Sequence, residues 1–158
     1  NGNYANIGKV DDLILNQAID NFEFKSYETS LDIKDFDTSF VKGLSFEDGC
    51  ATLTKFTAYL IADGLRKINK QNNVNPHQYI FCGGGRKNKS LMQSIENYLV
   101  NKNIIIKDID DYNFDGNFIE SQAFAYLAIR SFLKLPITYP STTGCKSPCS
   151  GGVIVKNF

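Results

Sequence analysis

The sequence predicts an α/β domain in which helices lie against strands paired in parallel. Three observations carry this expectation. From residue 45 onward, segments of helical and strand character alternate: helix, strand, helix, strand, helix and a last short strand. The clearest strands, Tyr79-Ile80-Phe81-Cys82 and Ile104-Ile105-Ile106, are short apolar runs. At 158 residues and 42% hydrophobic content, the chain can also bury one core.

Composition narrows the function. Seventeen basic residues balance seventeen acidic ones, so no basic face is available to attract nucleic acid or anionic membranes. The apolar run at 123–129 stops at Arg130, well short of the roughly 20 residues that a membrane span needs. The first twenty residues contain Asp11, Asp12 and Asp20 and no apolar signal-peptide core. A soluble, cytoplasmic protein is expected. The chain opens on Asn1, its single methionine is Met92, and Asn1-Gly2-Asn3 reads as a turn already in progress. The expectation is therefore one domain over 1–158 that forms part of a longer protein. Cys50 lies on a helical face, Cys82 ends a strand, and Cys145 and Cys149 share a glycine- and serine-rich loop. One C-x-x-x-C and a distant His77 do not make the paired spacings of a zinc site, so no metal centre is expected and the thiols read as reduced.

Residues 10–19 carry apolar side chains at 10, 13, 14, 15 and 18, a helical spacing, with Asp11 and Asp12 near the start. Residues 21–44 are polar and irregular, a loop long enough to suggest a functional or mobile segment. Residues 45–69 form the longest periodic stretch. Ser45 is the expected N-cap, and Cys50, Leu53, Thr57, Leu60, Ile61, Gly64, Leu65 and Ile68 draw one buried stripe. After a polar break at 71–77 and the strand 79–82, a second amphipathic helix covers 90–100, with Leu91, Ile95, Tyr98 and Leu99 inward. The strand 104–106, a connection at 112–117 and a third helix at 118–135 follow. Ile119, Ala123, Tyr126, Leu127 and Leu133 form the expected inner face of that helix, and Ser121, Ala123, Ala125 and Ala128 permit close approach. Pro136 ends it, a tail at 138–152 is rich in Pro, Ser, Thr and Gly, and 153–155 is expected to close the sheet.

The most informative feature is the passage from strand to helix through Gly83-Gly84-Gly85-Arg86-Lys87-Asn88. Three successive glycines cost conformational entropy on folding. At the carboxyl end of a parallel strand, their usual use is to let a ligand approach the main chain. The following helix offers unpaired N–H groups and a partial positive charge to an anion. A nucleotide over these glycines is one reading; a tight turn with nothing bound is the other. The loop is neither G-x-x-x-x-G-K-[ST] nor G-x-G-x-x-G. Arg86 and Lys87 are candidates for phosphate contact or simply for solvent, and Asn88 suits a helix cap whether or not it touches a ligand.

Cys82-Gly83-Gly84-Gly85-Arg86-Lys87-Asn88-Lys89-Ser90-Leu91-Met92 resembles the GGG-x-x-N-x-x-L-M segment of anhydro-N-acetylmuramic acid kinases. Further similarity follows in order along the chain. Residues 1–10 resemble x-G-x-x-A-x-x-G-x-V, residues 30–36 S-L-D-R-N-D-F, and residues 51–58 ATLT-x-x-TA. Residues 120–128 are similar to E-A-x-A-F-A-x-L-A and residues 140–145 to P-S-V-T-G-A.

The resemblance implies a ribonuclease-H-like lobe of the actin/hexokinase/Hsp70 fold, a mixed sheet flanked by helices, with ATP between two lobes. It implies a sugar kinase that opens the 1,6-anhydro ring with water and yields N-acetylmuramic acid 6-phosphate in cell-wall recycling. Gly83, Gly84, Gly85 and Asn88 would line the ATP site, whereas Glu120 would be either a substrate-side contact or a favourable charge at a helix start. The family's G-T-S-x-D-G phosphate loop and its D-x-G-P-G-N segment, with the aspartate that activates water, are absent from these residues. Catalytic residues and most Mg²⁺ ligands are thus expected in a missing N-terminal half, which is also the expected partner unless the chain self-associates. The alternative is a non-catalytic remnant or weak nucleotide-binding module. Thr29 for lysine, Ile33-Lys34 for Arg-Asn and Cys145 for alanine are smaller departures.

Overall fold

A computed structural model describes residues 1–22, 33–71, 77–100 and 103–155. The helices are α1 (Asn3–Ile7), α2 (Asp12–Asn21), α3 (Phe46–Gln71), α4 (Lys89–Leu99), α5 (Ile119–Phe132) and α6 (Pro140–Thr143). The strands are β1 (His77–Phe81) and β2 (Ile104–Asp108), and 3-10 turns occur at Ile33–Asp35, Ser39–Val41, Gly84–Lys87 and Ile109–Tyr112. The expected S-L-D match at residues 30–32 and Thr29 lie outside the described residues.

Local chemistry sets the helix starts. Asp11 Oδ1 accepts from Ile14 N–H at 2.9 Å, which places α2 two residues later than its apolar spacing suggests. Ser45 Oγ accepts from Asp48 N–H at 3.1 Å, as expected of the cap of α3. The five-residue α1 has no signature in the sequence because a tertiary contact holds it. A side-chain carbon on Gly8 would lie 2.0 Å from the Glu47 carbonyl oxygen, so only glycine lets the end of α1 meet the start of α3. Lys9 N–H then donates to Asp48 Oδ1 at 2.7 Å and Asp11 N–H to buried Thr52 Oγ1 at 3.1 Å, stitching the amino-terminal residues to α3.

Helix α3 buries two faces rather than the single stripe expected. One face presents Phe56 and Leu60 to Leu15 and Ala18 of α2. The other presents Ala58 and Ala62 to Ile95 and Leu99 of α4, with Phe81, Ile104 and Ile106 of the strands packed against the same cluster. Thr57, placed on the expected stripe, is exposed and donates its hydroxyl to Leu53 O at 2.9 Å; Ile68 is also exposed. The expected inner side of α4 agrees with the structure, since Ile95 and Leu99 are buried.

The strands pair in parallel, with His77 opposite Ile104 and Phe81 opposite Asp108. Among the described residues the sheet has these two strands, so the expected mixed sheet is corrected to a small parallel one. Residues 153–155 form no strand. Val153, Ile154 and Val155 are exposed, and the antiparallel element near them is an isolated bridge between Thr138 and Cys149. Helix α5 has no buried residue, contrary to its expected inner face; Phe124, Tyr126, Ile129 and Phe132 all face solvent. The outer face of the parallel pair is likewise open at Ile80 and Ile105. No helix among the described residues is long and apolar enough to cross a membrane.

Ile95 is fully buried at the α3–α4 seam, so Ile95→Ala is expected to lower stability by about 2–5 kcal/mol in urea unfolding. The open face of α5 should make the isolated chain associate as concentration rises. Sedimentation velocity should show this, and Phe124→Lys with Phe132→Lys should suppress it; a strict monomer at all concentrations would speak against a face built for burial.

Candidate functional site

The glycine loop leaves the carboxyl end of β1 and enters α4 through a single 3-10 turn. Gly83 has φ 80° and ψ 176°, a conformation open to glycine and strained for other residues. Gly84 differs, since its φ is not positive and a side-chain carbon there would meet nothing within 4 Å. Gly85 has only the tip of Leu91 nearby, at 3.9 Å. Backbone strain therefore explains Gly83, whereas neither strain nor crowding explains Gly84 or Gly85.

Asn88 caps α4: its Oδ1 accepts from Leu91 N–H at 3.1 Å. Capping uses one lone pair of that oxygen, which leaves its second lone pair and the amide nitrogen for any ligand contact. Gly2, in the left-handed region at φ 74°, lies against the same side chain; a carbon on it would come within 2.0 Å of Asn88 Oδ1. The first residues of the chain therefore border the glycine loop.

Arg86 is neither a phosphate-facing cation nor a solvated one. Its side chain is 3% exposed. Nε donates to Asp108 Oδ1 at 3.0 Å, Nη2 to Asp110 Oδ2 at 2.6 Å and Nη1 to the Gly83 carbonyl at 3.0 Å. Asp110 Oδ1 in turn accepts from Gly116 N–H at 2.7 Å, and Gly83 N–H donates to Gly116 O at 3.2 Å. The Gly116 N–H, then the Arg86 guanidinium, hold the Asp110 carboxyl below its ordinary pKa; Asp110, then Asp108, hold Arg86 above its own. Sequence reasoning missed this cluster, although an arginine within a glycine loop and the acidic run Asp108-Ile109-Asp110-Asp111 after the second strand were available signals.

The structure brings Gly83, Gly84, Gly85 and Asn88 together on one turn. Glu120 stands apart and exposed in the first turn of α5, reached from the loop through Gly116. A cavity of about 520 Å³ lies elsewhere, between α2, residues 35–40 and α3, with Gln17, Asn21, Phe40 and Phe56 among its walls. The glycine loop is open surface rather than part of that cavity. The Pro140-Ser141-Thr142-Thr143-Gly144 segment has a structural explanation. Thr142 Oγ1 accepts from Tyr139 N–H at 3.1 Å and Gly144 ends α6 at φ 70°. All four cysteines are free thiols.

The model of the family described as anhydro-N-acetylmuramic acid kinase matches residues 1–157. An anhydro-N-acetylmuramic acid kinase of Pelagibacter ubique (strain HTCC1062) is 58% identical over 161 residues, covering 100% of this chain and 42% of the relative. The proteins of the same name from Brucella canis and Caulobacter vibrioides are 38% and 39% identical, each over 98% of this chain and 41% and 40% of their own length. The chain thus spans about two-fifths of the length of the curated relatives it matches.

The depressed Asp110 carboxyl stabilises the fold above its unfolded-state pKa, and this contribution is lost as pH falls through the lower folded value. Urea midpoints measured from neutral pH to below about pH 4 should fall for the wild type. They should fall less steeply for Asp110→Asn, and equal slopes would refute a folded-state role for this carboxylate.

Proposed function

Because the chain belongs to the anhydro-N-acetylmuramic acid kinase family, we propose that it is the C-terminal, nucleotide-side lobe (1–158) of a sugar kinase of the actin/hexokinase/Hsp70 type. The whole protein would convert 1,6-anhydro-N-acetylmuramic acid, water and ATP into N-acetylmuramic acid 6-phosphate and ADP, in the cytoplasm, during cell-wall recycling.

The observation that carries this reading is Gly84. Its backbone is ordinary and its surroundings are open, so the absence of a side chain is best used by a ligand lying on the main chain. Gly83 and Gly85 extend that bare surface, and α4, eleven residues long and capped by Asn88, turns its amino end toward it. ATP would supply the phosphoryl group. This chain's share is to bind and orient the nucleotide, which in phosphoryl transfer is most of what a protein contributes. Mg²⁺ and the groups that activate water are assigned to the remainder of the family's length. Glu120, exposed at the start of α5, is the side chain of this lobe available to the sugar side.

Two exposed features support a lobe that works against another one: the apolar face of α5 and the open face of β1 and β2. Parallel sheets are normally covered on both faces. Gly2 beside Asn88 also delivers whatever precedes it in the relatives to the rim of the nucleotide loop.

Calorimetric titration with ADP and with ATP plus Mg²⁺ should show binding by the wild type and at least about tenfold weaker binding, about 1.4 kcal/mol, by Gly84→Val. That variant should keep its unfolding midpoint, because the first added carbon meets nothing within 4 Å beyond the two neighbouring residues of the chain. Mixing the chain with the N-terminal remainder of the Pelagibacter ubique relative should give ATP-dependent phosphorylation of the anhydro-sugar. Identical titrations would remove the nucleotide site, and binding without activity in the mixture would favour a stand-alone nucleotide-binding module.

A further inference from the structure

We propose that Arg86 is a positioning residue that fixes the distance between the glycine loop and the start of α5, and does not itself bind phosphate. The inference rests on the nucleotide reading of the loop and concerns how that loop is held.

The geometry gives Arg86 three acceptors on two separate stretches of backbone. Asp108 ends β2, Asp110 sits in the turn after it, and the Gly83 carbonyl belongs to the loop. A planar guanidinium holds three such partners at fixed angles, which an ammonium cannot do. Two carboxylates and a carbonyl already take up the guanidinium's hydrogen-bonding face, so it has no free fork to offer a phosphate. With 3% of its side chain exposed, Arg86 would have to leave its site to reach a ligand.

Gly116 supplies the independent observation. It is buried, and a side-chain carbon on it would lie 2.6 Å from Arg86 Cζ and 2.8 Å from Nε. The guanidinium lies directly over the residue whose N–H donates to Asp110 and whose carbonyl accepts from Gly83. Glycine at 116 is required by the arginine at 86 together with Ile109, whose Cγ2 would also lie 2.6 Å from an added carbon, and the crowding marks how closely 83–86 is tied to 108–116. Residue 116 lies three positions before α5, the helix that bears Glu120. The brace therefore sets where the nucleotide surface stands relative to the proposed sugar-side helix.

The test uses the full chain as Arg86→Ala, Arg86→Lys and Gly116→Ala, with adenosine and ADP as separate ligands. Amide hydrogen exchange at 83–85 and at 116–120 should accelerate together in all three variants, with Arg86→Lys no better than partial. Affinity for adenosine and for ADP should fall by the same factor, about tenfold, because the whole loop shifts. Guanidinium ion at concentrations well below denaturing should restore both in Arg86→Ala, whereas equal sodium chloride should not. A loss confined to ADP would make Arg86 a phosphate ligand and overturn the proposal, as would unchanged exchange at 83–85. A wild type that binds neither ligand would remove the nucleotide reading instead, leaving exchange at 83–85 and 116–120, and its slowing by guanidinium ion in Arg86→Ala, to decide whether the brace holds the loop.

Discussion

The seam between α3 and α4 is the contact on which the rest of the structure depends. Ala58 and Ala62 present almost no side chain, so Ile95 and Leu99 can press close to the α3 backbone, and all four are buried. Interior packing is dense enough that a seam of this kind has one arrangement. Since α4 is the crossover between β1 and β2, fixing α4 fixes the level of both strands. Phe81 and Asp108 then stand opposite each other, and the loops that leave the two carboxyl ends start side by side. A parallel pair of five-residue strands could not hold that register alone.

Once the strand ends coincide, electrostatics takes over from packing. The glycines remove side chains from the loop and would leave it loose, because glycine gains the most freedom when unfolded. Arg86 compensates by bonding across the gap to Asp108 and Asp110. An exposed ion pair contributes little, but this guanidinium is buried while its carboxylates keep contact with water. Full desolvation of both signs is thereby avoided. A bare surface and a rigid frame are combined by assigning them to different residues.

What could be read from the sequence divides along the line between local and long-range causes. Asn88 and Ser45 are caps whose partners lie three residues away, and both helix starts were legible. So was the parallel pair, because its crossover helix is periodic. The buried surface of α3 was legible only in part, since a single stripe cannot describe a helix packed on two sides, where alanines at 58 and 62 matter more than the larger Ile68. Helix α1 and the Arg86 cluster were hidden for the same reason. Gly8 meets Glu47 and Arg86 meets Asp108 only after the chain has folded. The glycine triplet was legible as a surface feature, but the sequence did not separate Gly83, required by its φ, from Gly84, which the fold does not require.

The residues on α5 and just beyond it carry the opposite lesson. Phe124, Tyr126, Ile129, Phe132 and Leu133 are each more than half exposed, although burying one such side chain is worth about 1.5–3 kcal/mol. The helix is nonetheless well formed, with Arg130 donating to the Pro136 carbonyl at 2.7 Å and Ser131 bonded to the Gly151 carbonyl. Its apolar character is therefore not needed for the contacts it makes within this chain. An apolar face of this extent suits burial, and Gly116 links the helix that carries it to the bare glycine loop. Covering that face would remove exposed apolar surface from water, the largest favourable term in most associations. The proposed lobe reading gives the uncovered helix and the uncovered glycines one common cause, and the Gly83–Gly116 bond ties the segment that leads into the first to the second.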